Sequence, residues 1–312
     1  MPSLVNSDAC IISARRTHSR HLAMSNKTHE VVEILGIEHH LAVDPESLNE
    51  AGVVWTPAVR ALASAVAPII EARQASSLAT SSSSSRPMRV LELGAGTGAL
   101  GIALACSLPN IHVTLTDLAP VVPLMNTNAD ATRDAGKLAD GSETHVAELA
   151  WSRDAVLALN GGEGASSGGC GTDGGTHGGR DASASRERWD VVLGCEILYW
   201  GGWDVFADDT RGPLLEACIA ACERGGADGA DTAVSSPPTL VVLAFTVRDQ
   251  GRESGFVSKD FGEKFWLRLL DAGANVCVCG DEETLARMDA EARERTDAAE
   301  EGDLLVLGAV AK

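Results

Sequence analysis

The sequence predicts an α/β protein in which helices cover both faces of a mostly parallel β-sheet. Short apolar stretches rich in valine and leucine alternate with stretches of helical length, and this alternation is typical of such sheets. The sharpest signal lies at residues 89–98, where the apolar run Val90–Leu93 breaks into a glycine turn and an apolar helix, Ala99–Leu108, follows at once. A strand, a glycine turn and a helix in this order form the corner at which such sheets bind ligands.

The remaining elements follow in order along the chain. The first helix is predicted at Thr56–Arg73, with Pro57 in its first turn, where proline is favoured. The predicted strands are Val90–Leu93, His112–Thr116, Thr144–Ala147, Val191–Gly194, Leu240–Thr246, Asn275–Cys279 and Leu304–Val310. The predicted helices between them are Ala99–Leu108, Val121–Ala135, Trp203–Cys222 and Lys259–Leu270. A mixed acidic segment, residues 281–301, separates the last two strands. This order indicates a doubly wound sheet.

Three polar stretches interrupt the pattern near residues 76–86, 160–188 and 225–238. They have too little apolar surface to offset the entropy of ordering them, so we expect exposed insertions. Residues 50–312 are therefore interpreted as a single domain. Residues 1–49 are interpreted as a partly disordered tail, although the arginines and serines near its start also resemble an organellar targeting segment.

Composition favours some partners over others. The chain has 44 acidic and 25 basic residues, for a net charge of −19. This balance disfavours nucleic acid, which proteins bind through lysines and arginines that neutralise phosphates, and it suits a basic partner such as a lysine-bearing protein surface. No apolar run reaches the roughly 18 residues that a membrane span requires. The eight cysteines are scattered and lack zinc-binding spacing, so we expect no metal and reduced thiols in the cytoplasm. We also expect a monomer.

An acidic residue beside the glycine turn favours a positively charged ligand over a dinucleotide. Glu92 stands two residues before Gly94, where it can meet a positively charged group, whereas phosphates bind to bare backbone amides. The resulting Glu-x-Gly-x-Gly-x-Gly, which ends at Gly96 and Gly98, resembles the first motif of the seven-strand methyltransferases that use S-adenosylmethionine (SAM). The resemblance implies a Rossmann-like sheet of seven strands with the last one antiparallel. Gly96, Gly98 and Gly101 also satisfy G-x-G-x-x-G, so a nicotinamide or a flavin stays open, as does a tight turn without a ligand.

Two further residues fit a nucleoside ligand. Asp117 ends the second strand about twenty residues after the glycine turn, where an acid can accept hydrogen bonds from ribose hydroxyls. Asp117 also precedes a helix and can serve as its N-cap. Trp151 follows the third strand and can stack on an adenine; packing in the core is the alternative.

The fourth strand leads out to Cys195, Glu196 and Tyr199 at the edge where ligands bind. An acid and a tyrosine three residues apart can project into one pocket, and we interpret Glu196 as a group that docks and orients the substrate or the cofactor and Tyr199 as a group that orients an amine. The Asn/Asp-Pro-Pro-aromatic motif of base methyltransferases is absent from this position.

These residues resemble the family-16 protein-lysine methyltransferases, over roughly residues 50–310. The fourth strand of that family ends in Asp-x-x-Tyr, which Glu196-x-x-Tyr199 matches with a longer acid. Gly52-Val-Val-Trp55 resembles the family's segment ahead of its first helix, which folds over the cofactor, and Leu149-Ala-Trp151 resembles its Leu-x-Trp element. Ala150 departs from the acid that is common there.

The resemblance implies methyl transfer from SAM to the ε-amine of lysine in a protein, with chaperones and translation factors as the family's targets. The expected catalytic residues are Glu196 and Tyr199, and the expected cofactor-binding residues are Trp55, Glu92, Gly94, Gly96, Gly98, Asp117, Trp151 and Cys195. A small-molecule or RNA methyltransferase on the same fold, and a SAM-binding regulatory protein without turnover, are the alternatives. A nicotinamide oxidoreductase is disfavoured by Glu92.

Overall fold

The structure of the protein is a computed structural model, and it describes residues 28–46, 51–80, 86–160, 189–198, 210–223, 237–270 and 281–312. The strands are β1 Thr28–Ile34, β2 Ile37–Val43, β3 Met88–Leu93, β4 Ile111–Asp117, β5 Glu143–Glu148, β6 Val191–Cys195, β7 Leu240–Thr246, β8 Phe265–Leu269 and β9 Leu304–Ala311. The helices are α1 Thr56–Thr80, α2 Ala99–Ser107, α3 Val122–Asp134, α4 Arg153–Asn160, α5 Arg211–Cys222, α6 Gln250–Gly255, a π-helical turn Phe256–Phe261, α7 Gly262–Lys264 and α8 Glu282–Asp297.

The central sheet has seven strands in the order β5-β4-β3-β6-β7-β9-β8. β9 pairs antiparallel with both of its neighbours, whereas the pairs from β5 to β7 are all parallel. The predicted seven-strand, doubly wound sheet with an antiparallel last strand is therefore confirmed. The chain reverses its direction of winding between β3 and β6, and ligands bind at the carboxyl ends of the strands at such a point.

Two layers of helices cover the sheet. On one face, side chains such as Val90 and Val113 pack with Leu62 of α1 and Leu100 of α2. On the other face, side chains such as Leu91 pack with residues of α5 and of the π-helical turn. Because both faces are covered, the central strands are apolar at nearly every position, which is why their sequence signal is strong.

The region assigned to the tail contains a β-hairpin, which corrects the boundary at residue 49. β1 and β2 pair antiparallel, and Val32, Ile34 and Leu41 are buried in the core formed with α1 and α2. Asn128 of α3 holds the hairpin in place, since its side chain bonds both the N–H and the carbonyl of Ala42, at 2.7 and 3.0 Å. Burial alternates along β1, where Val32 and Ile34 are buried and Val31 and Glu33 are exposed. The adjacent apolar residues Val31 and Val32 hide this period of two in the sequence.

The predicted helix Lys259–Leu270 is wrong in its second half. The helical segment ends at Lys264, and β8 begins at Phe265 as the edge strand of the sheet. Phe261 and Phe265 have helical spacing, but Phe265 and Leu267 are buried at a period of two, as a strand requires. The predicted strand Asn275–Cys279 lies outside the described residues.

Several other boundaries differ from the sequence prediction. α1 continues to Thr80, into the serine-rich stretch that was expected to be a loop. The acidic segment after residue 280 contains α8, which begins at an N-cap: the Asp281 side chain accepts a hydrogen bond from the backbone N–H of Thr284 at 2.9 Å. The glycine-rich insertion and most of the third one lie outside the described residues.

In the described part of the chain, no helix is long and apolar enough to cross a membrane.

Candidate functional site

A cavity of about 240 Å³ opens at the carboxyl ends of β3, β4 and β6. Its walls are the glycine turn, the segment of residues 51–55 that precedes α1, and the residues that follow β5 and β6. The lining residues include Ala51, Val54, Trp55, Glu92, Gly94, Gly96, Thr97, Asp117, Leu118, Leu149, Trp151, Cys195, Ile197, Thr210 and Pro213. All the expected cofactor-binding residues except Gly98 therefore line a single cavity.

Backbone conformation and close neighbours explain why glycine occupies these turn positions. Gly94, Gly96 and Gly98 all have positive φ, at 65°, 57° and 78°. A Cβ on Gly96 would lie 2.5 Å from the carbonyl oxygen of Ala51, so the pre-helix segment (residues 51–55) closes directly on this backbone. Gly98 does not line the cavity; it leads the chain into α2, whose N-cap it is.

Glu92 is a buried carboxyl group beneath this turn. Its Oε2 accepts a hydrogen bond from the backbone N–H of Gly101 at 2.9 Å, and only a glycine at 101 permits this approach, since a Cβ there would lie 2.6 Å from the same oxygen. Burial raises the pKa of Glu92 to about 8, and the Gly101 hydrogen bond opposes that rise. Burial thus favours the protonated form of this group at neutral pH, and a cation in the cavity would favour its ionised form.

Asp117 lies at the end of β4 with both carboxyl oxygens engaged by backbone. Oδ2 accepts from the N–H of Gly96 at 2.8 Å, and Oδ1 accepts from the N–H of Leu118 at 2.7 Å. Burial raises the pKa of Asp117, and these two bonds oppose the rise. Each carboxyl oxygen can accept more than one hydrogen bond, so Asp117 can hold the glycine turn and still accept from hydroxyls of a ligand.

Aromatic and sulfur side chains complete the walls. Trp151 lies close to the glycine turn, since a Cβ on Gly94 would be 3.3 Å from its Cζ2. Burial, with the nearby Glu92 and Glu196 carboxyl groups, raises the pKa of the Cys195 thiol well above its ordinary value. Cys195 is thus a neutral thiol that packs in the wall, not a nucleophile.

Glu196 is placed differently from the sequence expectation, which projected it into a substrate pocket. It is buried, it has a positive φ of 55°, and it does not belong to the residues that line the cavity. Its Oε1 accepts from the backbone N–H and the hydroxyl of Thr246, at 3.0 and 2.6 Å, and its Oε2 accepts from Arg248 at 2.6 Å. Tyr199, the other expected catalytic residue, lies outside the described residues.

Sequence reasoning missed Arg248. It follows β7 at the ligand-binding edge of the sheet, and its guanidinium carbon lies 5.7 Å from the ring centroid of Trp55. The available signal was its position just beyond the carboxyl end of a strand adjacent to β6.

The seven-strand sheet, its antiparallel last strand and the cavity at the switch point define the class of protein, a seven-strand SAM-dependent methyltransferase fold. Residues 38–160 match a family model described as lysine methyltransferase. This match confirms the resemblance inferred from the motifs and supports SAM as the cofactor. The matched region contains Trp55, Glu92, Asp117 and Trp151 and ends before Glu196.

The chain is also similar, at low sequence identity, to several solved structures. The chain is similar to a probable spermidine synthase from Corynebacterium glutamicum, with 13% identity over 92% of this chain and 77% of that chain and a TM-score of 0.43. It is similar to a predicted O-methyltransferase from Agrobacterium tumefaciens, with 14% identity, 80% of each chain covered and a TM-score of 0.38. For the CurJ carbon methyltransferase the values are 14% identity, 78% of this chain, 54% of that chain and a TM-score of 0.36. The comparison with curated proteins gave no match.

Proposed function

We propose that this protein transfers a methyl group from SAM to the ε-amine of a lysine in a protein substrate. The observation that carries the proposal is the convergence of Glu92, Asp117, Trp55 and Trp151 on one cavity at the switch point of the sheet. An acid for a positively charged group, an acid for a ribose and aromatic rings for a base are the groups that SAM requires. The family match over residues 38–160 supports lysine as the acceptor.

The residues present fit this cofactor. Glu92 would face its positively charged part, Asp117 its ribose hydroxyls, and Trp151 its adenine. SAM supplies an activated methyl group on a sulfonium. The chain's own contribution is to align the acceptor with that group, because methyl transfer is an in-line displacement that depends mainly on orientation.

A lysine acceptor must be neutral to react. With an ordinary lysine pKa near 10.4, removing the proton at pH 7 costs roughly 4–5 kcal/mol. Apolar groups line the cavity, among them Ile197, two residues after β6, and Pro213 of α5. Such surroundings disfavour an ammonium group and reduce this cost. Tyr199, through its hydroxyl, is proposed to orient the amine.

Glu196 is better suited to holding the wall of the site than to docking the amine. Its carboxylate already accepts three hydrogen bonds, two of them from Thr246 and one from Arg248. We therefore retain Glu196 as a residue needed for transfer and assign its effect to the groups that it holds.

The proposed partner is a basic protein surface. The net charge of −19 favours such a surface and opposes polyanions, and chaperones and translation factors are the targets that the family resemblance suggests. A cytoplasmic location and a monomeric state belong to the same proposal.

The test is transfer of a radiolabelled methyl group from SAM into a lysate of the source organism, with Asp117→Ala as the variant that loses the cofactor and Asp190→Asn as a matched control far from the cavity. Label in discrete protein bands that yields methyl-lysine on hydrolysis supports the proposal. Label confined to RNA or small molecules overturns the lysine acceptor. If SAM binds without transfer, the protein is a SAM-binding regulator, and if NAD binds in place of SAM, the proposed class of reaction is wrong.

A further inference from the structure

We propose that Arg248 is a positioning residue that holds Trp55 over the cofactor cavity and is itself held by Glu196. This inference rests on the proposed function, because it assigns to Arg248 a part in binding SAM. It links the end of β6 to the pre-helix segment through one guanidinium group.

The first link is the ion pair between Glu196 and Arg248. The Nη2 of Arg248 donates to Oε2 of Glu196 at 2.6 Å, while Oε1 is occupied by Thr246. The Glu196 side chain is almost fully buried, whereas that of Arg248 is 37% exposed. Because the Glu196 carboxyl group is buried and Thr246 holds its other oxygen, the position of Oε2 is fixed, and Oε2 in turn restricts where the Nη2 of Arg248 can lie.

The backbone at Glu196 supports this reading. A positive φ of 55° is uncommon for a residue with a long side chain and persists only where its surroundings hold it. Here the N–H of Glu196 donates to the carbonyl of Ala244 at 2.7 Å, and the carboxylate is anchored two residues further along β7, at Thr246. The turn directs the side chain toward β7 and Arg248.

The second link is the contact between Arg248 and Trp55. The guanidinium carbon lies 5.7 Å from the ring centroid, within the range of a cation–π interaction. Trp55 is 37% exposed and lines the cavity, so burial among the described residues holds its ring only in part. Arg248 contacts the ring from the side of β7 and limits its movement.

A glutamate is suited to this role because of its length. Its carboxylate must reach the Thr246 hydroxyl and the Arg248 guanidinium together. An aspartate is shorter by one methylene group and would lose at least one of these contacts. The longer acid at 196, which departs from the Asp-x-x-Tyr pattern, is thus explained by what it holds.

The experiment is a double-mutant cycle on SAM affinity, measured by titration calorimetry with Arg248→Met, Trp55→Leu and the double variant. We expect Arg248→Met to weaken SAM binding by about five- to tenfold in the wild-type background, as loss of a cation–π contact implies. In the Trp55→Leu background we expect it to have almost no further effect. Arg252→Met is the matched control, since Arg252 lies four residues away in an exposed pair with Asp249.

A second variant and a second measurement distinguish the proposed positioning role from a loss of folding. Glu196→Gln keeps the size of the side chain and the bonds from Thr246, and it should reproduce the effect of Arg248→Met without adding to it. Acrylamide quenching of tryptophan fluorescence, with Trp55→Leu subtracted to isolate Trp55, should show a more accessible ring in both variants without any cofactor.

The outcomes separate the two proposals. An equal loss of SAM affinity from Arg248→Met in both backgrounds, or no loss in either, overturns the positioning role and leaves the proposed function standing. If the wild-type protein does not bind SAM, the proposed function fails. In that case the quenching of Trp55 alone decides whether Arg248 holds the ring.

Discussion

An acid, an arginine and a tryptophan lie together near each end of β6, but the two groups of residues have different roles. At the amino end, Asp190 accepts two hydrogen bonds from Arg86, at 2.6 and 2.8 Å, and Arg89 lies 4.2 Å from the ring centroid of Trp189. At the carboxyl end, Glu196 accepts from Arg248, which lies 5.7 Å from the ring centroid of Trp55. Each end thus has an acid, an arginine and a tryptophan.

The difference lies in what the tryptophan covers. Trp189 is 3% exposed and packs in the core, whereas Trp55 is 37% exposed and faces the cavity. Asp190 also accepts a hydrogen bond from the backbone N–H of Arg89, so it joins β3 to β6. The same chemistry joins strands at the amino edge of the sheet and lines a cavity at the carboxyl edge, because loops diverge at the carboxyl edge and leave a cavity there.

The largest effect that we expect at the carboxyl edge comes from Gly96→Ala. The new methyl group would meet the carbonyl oxygen of Ala51 and push the pre-helix segment away from the cavity. SAM affinity should fall by about 100-fold or more, since rotation of a side chain cannot relieve a clash with a backbone atom. Gly136→Ala is the matched control, because Gly136 has a similar φ of 63° but no atom within 4 Å of its Cβ position. Calorimetry that gives both variants the same affinity would contradict this.

The second prediction concerns the effect of Glu92 at the carboxyl edge on how stability depends on pH. The pKa of Glu92 is about 8 in the folded protein and about 4.5 when unperturbed, so the free energy of unfolding should fall as pH rises from about 4.5 to 8. Glu92→Gln should remove this fall and stabilise the empty protein at pH 8 by roughly 2–4 kcal/mol. Thermal melts at pH 5 and pH 8 measure it, and equal melting temperatures for the two proteins at pH 8 would refute it.

The third prediction concerns SAM binding at different pH. A cation near Glu92 favours the ionised carboxylate, so binding should release a proton below pH 8 and the Kd should fall as pH rises. The change should approach about tenfold per pH unit between pH 6 and 8 and vanish above pH 8. Calorimetry in buffers of different ionisation enthalpy counts the proton. Glu92→Gln should make the Kd independent of pH, and a wild-type Kd that is already flat from pH 6 to 8 would show that Glu92 does not face the positive charge.

The smallest effect belongs to the amino edge. Asp190→Asn should lower the free energy of unfolding by about 1–2 kcal/mol, since a charge-assisted bond to a half-exposed arginine is lost while the oxygen that accepts from Arg89 remains. SAM affinity should stay within about twofold, because the cavity lies at the opposite edge. Urea unfolding and calorimetry on the same preparation check both statements. A large loss of SAM affinity would contradict the view that the amino edge contributes to stability and not to the cavity.

The sequence was sufficient where the requirement is local. Val90–Leu93 is a buried run, Gly94, Gly96 and Gly98 occupy positive φ, and Asp117 ends the next strand; each feature has a short-range signature. The parallel order of the sheet follows from these elements, because crossover connections have few topologies. Of the eight residues expected to bind the cofactor, seven line the cavity, and Gly98 is the exception.

Tertiary structure decided the features that depend on distant contacts. Phe265–Leu269 became a strand because β9 offers an edge for pairing, although the spacing of Phe261 and Phe265 also suits a helix. The hairpin of β1 and β2 is held by Asn128, which is remote in sequence. The sequence placed the acid Glu196 at the carboxyl edge of the sheet. The direction of its side chain, however, depends on a positive φ and on Arg248, 52 residues away. Local sequence specifies most of the groups that gather at the cavity, since the ends of strands place them there. Long-range contacts select which carboxyl groups face the cavity and which hold its wall, because the local sequence leaves several side-chain directions open.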